Sequence, residues 1–176
     1  MAKQPKATGE MTKIAVIGAG VMGAGIAAQC ANAGVDVLLL DIIPKDAADR
    51  NVIAKGALEK LKKSNPAAFM HARCAGRVQV GNTTDDLAKL AECDWIIEAV
   101  IERLDIKQDL YRKIDKHRRK DAIVSSNTST IPLTELVAGM SENFREHFLI
   151  THFFNPPRYL RLLELVQGRH TLNDVV

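Results

Sequence analysis

The stretch that decides the fold is residues 12–41, which read TKIAVIGAGVMGAGIAAQCANAGVDVLLLD. Its apolar, β-rich run at 14–17 predicts a short buried strand. The helix formers at 24–33 predict a helix that Gly34 ends, and a second apolar run at 35–40 predicts another buried strand. The turn between the first strand and the helix carries three glycines at G-x-G-x-x-G spacing, namely Gly18, Gly20 and Gly23.

Each part of this stretch has a physical role in holding a dinucleotide. Gly18 allows the tight turn from strand to helix, Gly20 lets the backbone approach a pyrophosphate, and Gly23 lets helix and strand pack closely. The pyrophosphate then lies at the helix N-terminus, where free N–H groups favour an anion. Asp41, at the end of the second strand, is placed to accept hydrogen bonds from the adenosine ribose and to repel a 2′-phosphate. The stretch predicts an NAD site, favoured over NADP, rather than a βαβ unit without a ligand.

The composition excludes several other classes of function. With 176 residues, 47% of them hydrophobic and 26% charged, the chain is typical of one globular domain. A net charge of +3 and an aromatic content of 5% do not predict nucleic-acid binding. No run is long and apolar enough to predict a membrane span, and the polar first eleven residues lack the apolar core that would predict a signal peptide. Three cysteines, Cys30, Cys74 and Cys93, form neither a C-x-x-C pair nor a metal-ligand spacing, so we expect a reducing, cytoplasmic location and no metal.

Strands and helices alternate along the rest of the chain. Residues 1–11 are polar and are predicted to be a disordered tail, so that 12–176 form one NAD-binding domain. Helices are predicted over 45–63 and 104–119. Further strands are predicted at 77–80, 94–100, 122–125, 148–154 and 160–166. This alternation predicts an α/β fold of the Rossmann type, with a doubly wound, mostly parallel sheet and helices on both faces.

Two basic segments have a structural as well as a functional interpretation. The second half of the helix predicted at 45–63 carries Lys55, Lys60, Lys62 and Lys63. These lysines form either a solvated face near a helix C-terminus or a contact to an anionic substrate tail. The basic run at 118–120 ends the next long helix and is predicted to be a solvated cap that complements the helix dipole.

Three polar residues of the second half suggest the chemistry of a dehydrogenase. A hydride-transfer enzyme that oxidises an alcohol needs a base for the hydroxyl proton, and His152 suits that role. Glu164 interrupts an apolar strand, where a carboxylate is costly unless paired, so it is the candidate partner of His152. Ser129 lies in a polar run after a strand. Each also has a plain interpretation, as a core histidine, a solvent-facing edge carboxylate and a turn former, and the substrate stays open at this point.

Four motifs in order make the sequence recognisable. They are GAGVMG at 18–23, EAVIE at 98–102, SNTS at 126–129 and HFFNP at 152–156. Together they resemble the NAD-binding domain of the L-3-hydroxyacyl-CoA dehydrogenases of fatty acid β-oxidation, over about residues 13–168. The wording THFFNPPRY at 151–159 further resembles the long bacterial members, which also carry an enoyl-CoA hydratase-like region.

The resemblance implies oxidation of (S)-3-hydroxyacyl-CoA to 3-oxoacyl-CoA with NAD. It makes His152 the general base for the 3-hydroxyl and Glu164 its orienting carboxylate, while Ser129 hydrogen-bonds the substrate oxygen near the nicotinamide. The implied acyl-CoA contacts are Lys60, Lys107 and Ser129. The implied cofactor contacts are Gly18, Ala19, Gly20, Val21, Met22, Gly23, Asp41, Val100, Glu102, Lys107, Ser129 and Asn155.

Family members continue into an all-helical domain that closes over the acyl chain and forms most of the dimer interface. Because this chain ends at Val176, shortly after the last predicted strand, we expect that domain to be absent here and the parent protein to be a homodimer through it. We therefore expect the chain to bind NAD but to turn over acyl-CoA poorly or not at all. Two alternatives stay open: a dehydrogenase of a small hydroxy acid without CoA, and an NAD-binding module that is inactive on its own.

Overall fold

The computed structural model describes residues 11–176, so the tail predicted at 1–11 lies, apart from Met11, outside the described residues. Seven strands occur in this part of the chain: β1 Lys13–Ile17, β2 Asp36–Asp41, β3 Val78–Asn82, β4 Trp95–Glu98, β5 Ile123–Ser126, β6 Phe148–Phe153 and β7 Leu163–Gln167. They form one sheet in the order β3-β2-β1-β4-β5-β6-β7. β1 to β6 are parallel and β7 is antiparallel to β6, which confirms the predicted doubly wound, mostly parallel sheet.

The helices cover both faces of this sheet. They are α1 Val21–Asn32, α2 Val52–Lys62, α3 Leu104–His117, α4 Leu133–Leu136 and α5 Glu142–Glu146, with short 3₁₀ helices at Ala72–Arg77, Leu87–Glu92 and Asn173–Val175. Alternate strand residues face opposite sides, so Ile14 and Val16 pack with α1 whereas Ala15 and Ile17 pack with α3. Burial on both faces explains the continuous apolar runs of the parallel strands. Among residues 11–176, none of these helices combines the length and the apolar content that a bilayer crossing requires.

Two predicted elements begin at least three residues later in the structure than in the prediction. The helix predicted over 45–63 begins only at Val52, because Asp49 accepts hydrogen bonds from the backbone N–H of Asn51 at 2.9 Å and from Lys55 Nζ at 2.7 Å. Such a local side-chain hydrogen bond holds a turn in place of the first helical turns. The strand predicted at 160–166 is β7, which starts at Leu163, and all five of its residues are exposed.

The prediction that the run 118–120 is a solvated cap is wrong for Arg118. This residue is only 5% exposed, and its guanidinium donates to the backbone carbonyls of Arg119, Lys120 and Ala122 and to Asn143 Oδ1. An ion pair to Asp115 at 2.9 Å supplies the opposite charge. The planar guanidinium has enough N–H donors to bind several carbonyls of the loop between α3 and β5. These hydrogen bonds compensate for the cost of burying the charge.

The sheet reverses its winding between β1 and β4, which are neighbours although β2 and β3 come between them in the chain. The carboxyl ends of these parallel strands therefore border a crevice, which is where ligands bind in open α/β sheets.

Candidate active site

Two clefts open at the carboxyl ends of the strands, and Ala99 and Val100 line both of them. The first cleft, of about 370 Å³, lies between the ends of β1 and β2 and the helix α3. The second, of about 400 Å³, is lined by residues that follow β4, β5 and β6 and by Met22 of α1. A long ligand that lies across Val100 would occupy both clefts.

The glycine turn between β1 and α1 shows why two of its glycines are required by the fold. Gly18 has a φ of +103°, and a Cβ there would lie 2.5 Å from the carbonyl oxygen of Ala99. A Cβ on Gly23 would lie 1.8 Å from the carbonyl oxygen of Gly18. A Cβ on Gly20 would meet no protein atom within 4 Å. The space over Gly20 is therefore free for a ligand at the N-terminus of α1, as the predicted pyrophosphate requires.

Asp41 lies at the end of β2 and lines the first cleft together with Gly18 and Gly20. Its Oδ2 accepts a hydrogen bond from the backbone N–H of Ala19 at 2.5 Å, and its Oδ1 accepts one from Ile42 at 2.6 Å. The carboxylate thus ties the glycine turn to β2 and presents a negative charge to the cleft.

Replacing Asp41 by Asn is expected to weaken NADH binding about tenfold, because hydrogen bonds to a charged group are worth more than those to a neutral one. The ratio of NADPH affinity to NADH affinity is expected to be higher in the variant than in the parent chain, because Asp41 repels the 2′-phosphate of NADPH. Calorimetric titration with both cofactors measures the two affinities. Asn is preferred to Ala because Ala would also leave two backbone N–H groups without their acceptor. An unchanged preference between the cofactors would contradict the assignment of Asp41.

His152 and Glu164 form a direct pair at the edge of the second cleft. They are register partners on β6 and β7, and His152 Nδ1 lies 2.8 Å from Glu164 Oε2. The His152 side chain is half-buried, lines the cleft and packs its ring 4.7 Å from that of Phe154. Glu164 is exposed on the edge strand, yet its carboxylate points to His152. A histidine that faces a cleft and whose other ring nitrogen is hydrogen-bonded to a carboxylate has the arrangement of an oriented general base.

A buried carboxylate that we did not single out in the sequence lies beneath the two clefts. Glu98, at the end of β4, is fully buried and accepts four hydrogen bonds at 2.6–2.8 Å. The donors are Lys107 Nζ, Tyr111 OH, Ser126 Oγ and the backbone N–H of Val100. Burial, and then the charge of Glu98, raises the pKa of the Tyr111 hydroxyl well above its usual value, so this group stays a donor.

Lys107 connects Glu98 to Glu102. Its side chain is 1% exposed, and its ammonium lies 2.6 Å from Glu98 Oε1 and 3.3 Å from Glu102 Oε2. Lys107 therefore lines neither cleft, and it is connected to the second cleft through its ion pair with Glu102. Lys60 lies exposed on α2 and lines neither cleft.

Glu102 holds the loop that carries Ser129. Its Oε1 accepts hydrogen bonds from Thr128 Oγ1 and from the backbone N–H groups of Ser129 at 3.2 Å and Thr130 at 3.3 Å. Partial burial raises the pKa of Glu102, but the hydrogen bond from Thr128 and the charge of Lys107 outweigh it and lower the pKa to about 2. Because this pKa lies below the unfolded value of 4.5, the stability that the carboxylate contributes is present above pH 4.5 and is lost as the pH falls towards 2.

The second cleft brings together most of the residues that the sequence predicts near the nicotinamide. It is lined by Met22, Ala99, Val100, Glu102, Asn127, Ser129, His152, Phe153, Phe154 and Asn155. Asn127 is a further residue that we did not predict. Its side-chain Oδ1 accepts a hydrogen bond from the backbone N–H of Phe153 at 2.9 Å, and its backbone N–H donates to the backbone carbonyl of Glu98 at 2.8 Å. These bonds fix the ends of β4, β5 and β6 relative to one another.

A glycine turn aimed at a cleft, an acidic residue at the end of β2 and an oriented histidine define a dinucleotide-binding domain of the dehydrogenase class. Comparison with known proteins identifies the family, because residues 13–176 match the model of the 3-hydroxyacyl-CoA dehydrogenase NAD binding domain. The chain belongs to this family and is its NAD-binding domain.

Two curated relatives and one solved structure illustrate the similarity. The chain is 53% identical to a probable 3-hydroxyacyl-CoA dehydrogenase of Deinococcus radiodurans, over 95% of this chain and 48% of the relative. It is 48% identical to a putative fatty acid oxidation complex trifunctional enzyme of Rickettsia felis, over 89% of this chain and 22% of the relative. The crystal structure of 3-hydroxybutyryl-CoA dehydrogenase from Escherichia coli superposes with a TM-score of 0.78 at 30% identity, over 94% of this chain and 34% of that one. The chain thus spans about half of these relatives' length or less.

Proposed function

We propose that the protein oxidises (S)-3-hydroxyacyl-CoA to 3-oxoacyl-CoA with NAD, as a step of fatty acid β-oxidation. The observation that carries this proposal is the His152–Glu164 pair at 2.8 Å in the same cleft as Ser129, next to the glycine turn. The names of the relatives support an acyl-CoA substrate.

NAD, held by the glycine turn and Asp41, would supply the acceptor for the hydride that leaves carbon 3 of the substrate. His152 takes the proton of the 3-hydroxyl group on Nε2, because Nδ1 donates to Glu164 in the neutral ring and leaves Nε2 as the basic nitrogen. Glu164 fixes the orientation of the ring and stabilises the imidazolium that forms. Ser129, whose backbone Glu102 holds, hydrogen-bonds the substrate oxygen and keeps it beside His152.

The residues of the two clefts would hold the cofactor. The free space over Gly20 would take the pyrophosphate, Asp41 would bind the adenosine ribose, and Val100 lines both clefts. Glu102 and Asn155 line the cleft of the nicotinamide end. In this proposal Lys107 acts by positioning Glu102, in place of the direct CoA contact that the resemblance implies, since its ammonium is buried between two carboxylates.

A dehydrogenase of a hydroxy acid without CoA is the second candidate. It is favoured by the position of Lys60 outside both clefts and by the burial of Lys107, because these are the two lysines implied to bind acyl-CoA. The experiment that separates the candidates is NADH formation in a single turnover from (S)-3-hydroxybutyryl-CoA and from free 3-hydroxybutyrate, with the whole protein in excess over NAD, because the chain alone is expected to turn over poorly. We expect the CoA ester to react faster at equal concentration. Equal rates, or a faster reaction of the free acid, would contradict the acyl-CoA assignment.

We also propose that the whole protein is a homodimer and that it works in the cytoplasm. Support for an assembly comes from the apolar side chains that β7 and its flanks leave exposed to water, namely Leu160, Leu162, Leu163, Leu165 and Val166. Support for the compartment is the composition, with three cysteines and no C-x-x-C pair.

A further inference from the structure

We propose that the carboxylate of Glu102 makes this site bind the oxidised cofactor more tightly, relative to the reduced cofactor, than it would without that charge. This inference rests on the proposed function, because it requires the nicotinamide end of the cofactor to occupy the second cleft. It assigns to Glu102 a preference for one oxidation state, beyond cofactor contact alone.

The position of Glu102 gives its charge a fixed place beside the reacting groups. Its side chain lines the second cleft together with Ser129 and His152 and is 38% exposed. One carboxylate oxygen is held by the loop 128–130 and the other faces Lys107. A carboxylate held by this many donors keeps its direction when a ligand enters, so its field in the cleft does not depend on the ligand.

The charges around Glu102 leave the cleft negative. Lys107 serves two carboxylates, and its ammonium is nearer to Glu98, at 2.6 Å, than to Glu102, at 3.3 Å. The group of Glu98, Lys107 and Glu102 therefore carries one uncompensated negative charge, and Glu102 is its only member that reaches the cleft. Among the described residues that line this cleft there is no Lys or Arg, and Glu164 adds a second carboxylate behind His152.

The two forms of the cofactor differ in charge only at the end that this cleft takes. The nicotinamide ring is a cation in the oxidised form and is neutral in the reduced form, whereas the adenosine and both phosphates are the same. A fixed carboxylate near the ring therefore attracts one form more than the other, and the half-open cleft weakens but does not cancel that attraction. We expect Glu102 to change the ratio of the two affinities about tenfold, which corresponds to about 1.4 kcal/mol.

Such a preference suits an enzyme that works in the direction of oxidation. The site binds the oxidised form, which accepts the hydride, more tightly. The attraction between Glu102 and the nicotinamide ring is lost once the ring has become neutral. The same carboxylate stabilises the Ser129 loop, so the positioning of the substrate oxygen and the choice of cofactor form depend on one group.

The test is calorimetric titration of the chain with NAD and with NADH, repeated for three variants. Glu102→Gln keeps the shape and the acceptor oxygen but removes the charge, so the NAD affinity is expected to fall about tenfold relative to the NADH affinity. Glu102→Asp keeps the charge, and its ratio is expected to stay within about threefold of the parent ratio even where both affinities fall. Asp105→Asn is the matched control, because it removes a nearby carboxylate, in the first turn of α3, that lines neither cleft, and it is expected to leave the ratio unchanged.

The outcomes separate this inference from the proposed function. If Glu102→Gln weakens NAD and NADH by the same factor, Glu102 supports the site without choosing between the cofactor forms, and the inference is overturned. If the parent chain binds neither form, the proposed function fails first and the inference with it.

Discussion

Replacing Glu98 by Gln is expected to lower the free energy of unfolding by about 3–5 kcal/mol, the range measured when one partner of a buried ion pair is removed. The expectation follows from the complete burial of both partners, since Lys107 Nζ lies 2.6 Å from Glu98 and its side chain is 1% exposed. The variant would leave the ammonium without its nearest charge, and Tyr111 and Ser126 would share one weaker acceptor.

Urea unfolding followed by the fluorescence of Trp95, the single tryptophan of the chain, measures this effect. The double variant Glu98→Gln with Lys107→Met is expected to recover more than half of the lost stability, because the unpaired charge is then gone. Glu59→Gln is the control: its exposed pair with Lys62 contributes almost nothing, so the midpoint is expected to stay the same. A loss below about 1 kcal/mol for Glu98→Gln would contradict the buried pair.

Replacing His152 by Asn is expected to lower the rate of hydride transfer about a thousandfold, within the range by which a positioned general base accelerates proton transfer. Asn has no basic nitrogen, so the 3-hydroxyl proton has no acceptor of suitable pKa at this position. NADH affinity is expected to change less than twofold, because the cofactor is held mainly by the glycine turn and Asp41. Single-turnover NADH formation from 3-hydroxybutyryl-CoA by the whole protein, with and without the substitution, measures the rate, and a titration of the chain measures the affinity.

Glu164→Gln distinguishes the base from its partner. The amide still accepts from His152 Nδ1 but no longer stabilises an imidazolium, so we expect a rate between those of the parent chain and His152→Asn. A His152→Asn variant that keeps more than a tenth of the parent rate would show that another group takes the proton.

The parts of the fold that were predictable are those set by local sequence. The run 14–17, the glycine spacing and the apolar run 35–40 each specify one conformation, and the structure has β1, α1 and β2 within one to three residues of the predicted bounds. The helix predicted over 45–63 failed in its first half because apolar spacing alone does not reveal the turn that Asp49 forms with Asn51. Periodicity indicates which face can be buried, whereas a single side-chain hydrogen bond decides where a helix begins.

The pairing of Glu164 with His152 was predicted from a carboxylate in an apolar run, although the expected burial is wrong, because β7 and Glu164 are exposed. Glu164 in an apolar run raised the question of a partner, and His152 lies 2.8 Å from it. The same question applies to Glu98, which also ends an apolar run, but its partners Lys107 and Tyr111 lie one turn apart on a helix that the sequence does not connect to it. Arg118 was missed for the related reason that a basic run looks solvated until the fold supplies acceptors around it.

The measurement that tests the account most directly is calorimetric titration of the chain, and of its Gly20→Val variant, with NADH. Gly20 has extended backbone angles and open space around its Cβ position, so Val is expected to leave the fold and its unfolding midpoint unchanged. The added side chain would occupy the space assigned to the pyrophosphate. We predict saturable one-to-one binding by the parent chain and no measurable binding by the variant. Absence of binding by the parent chain, or equal binding by both, would contradict an NAD site at the glycine turn.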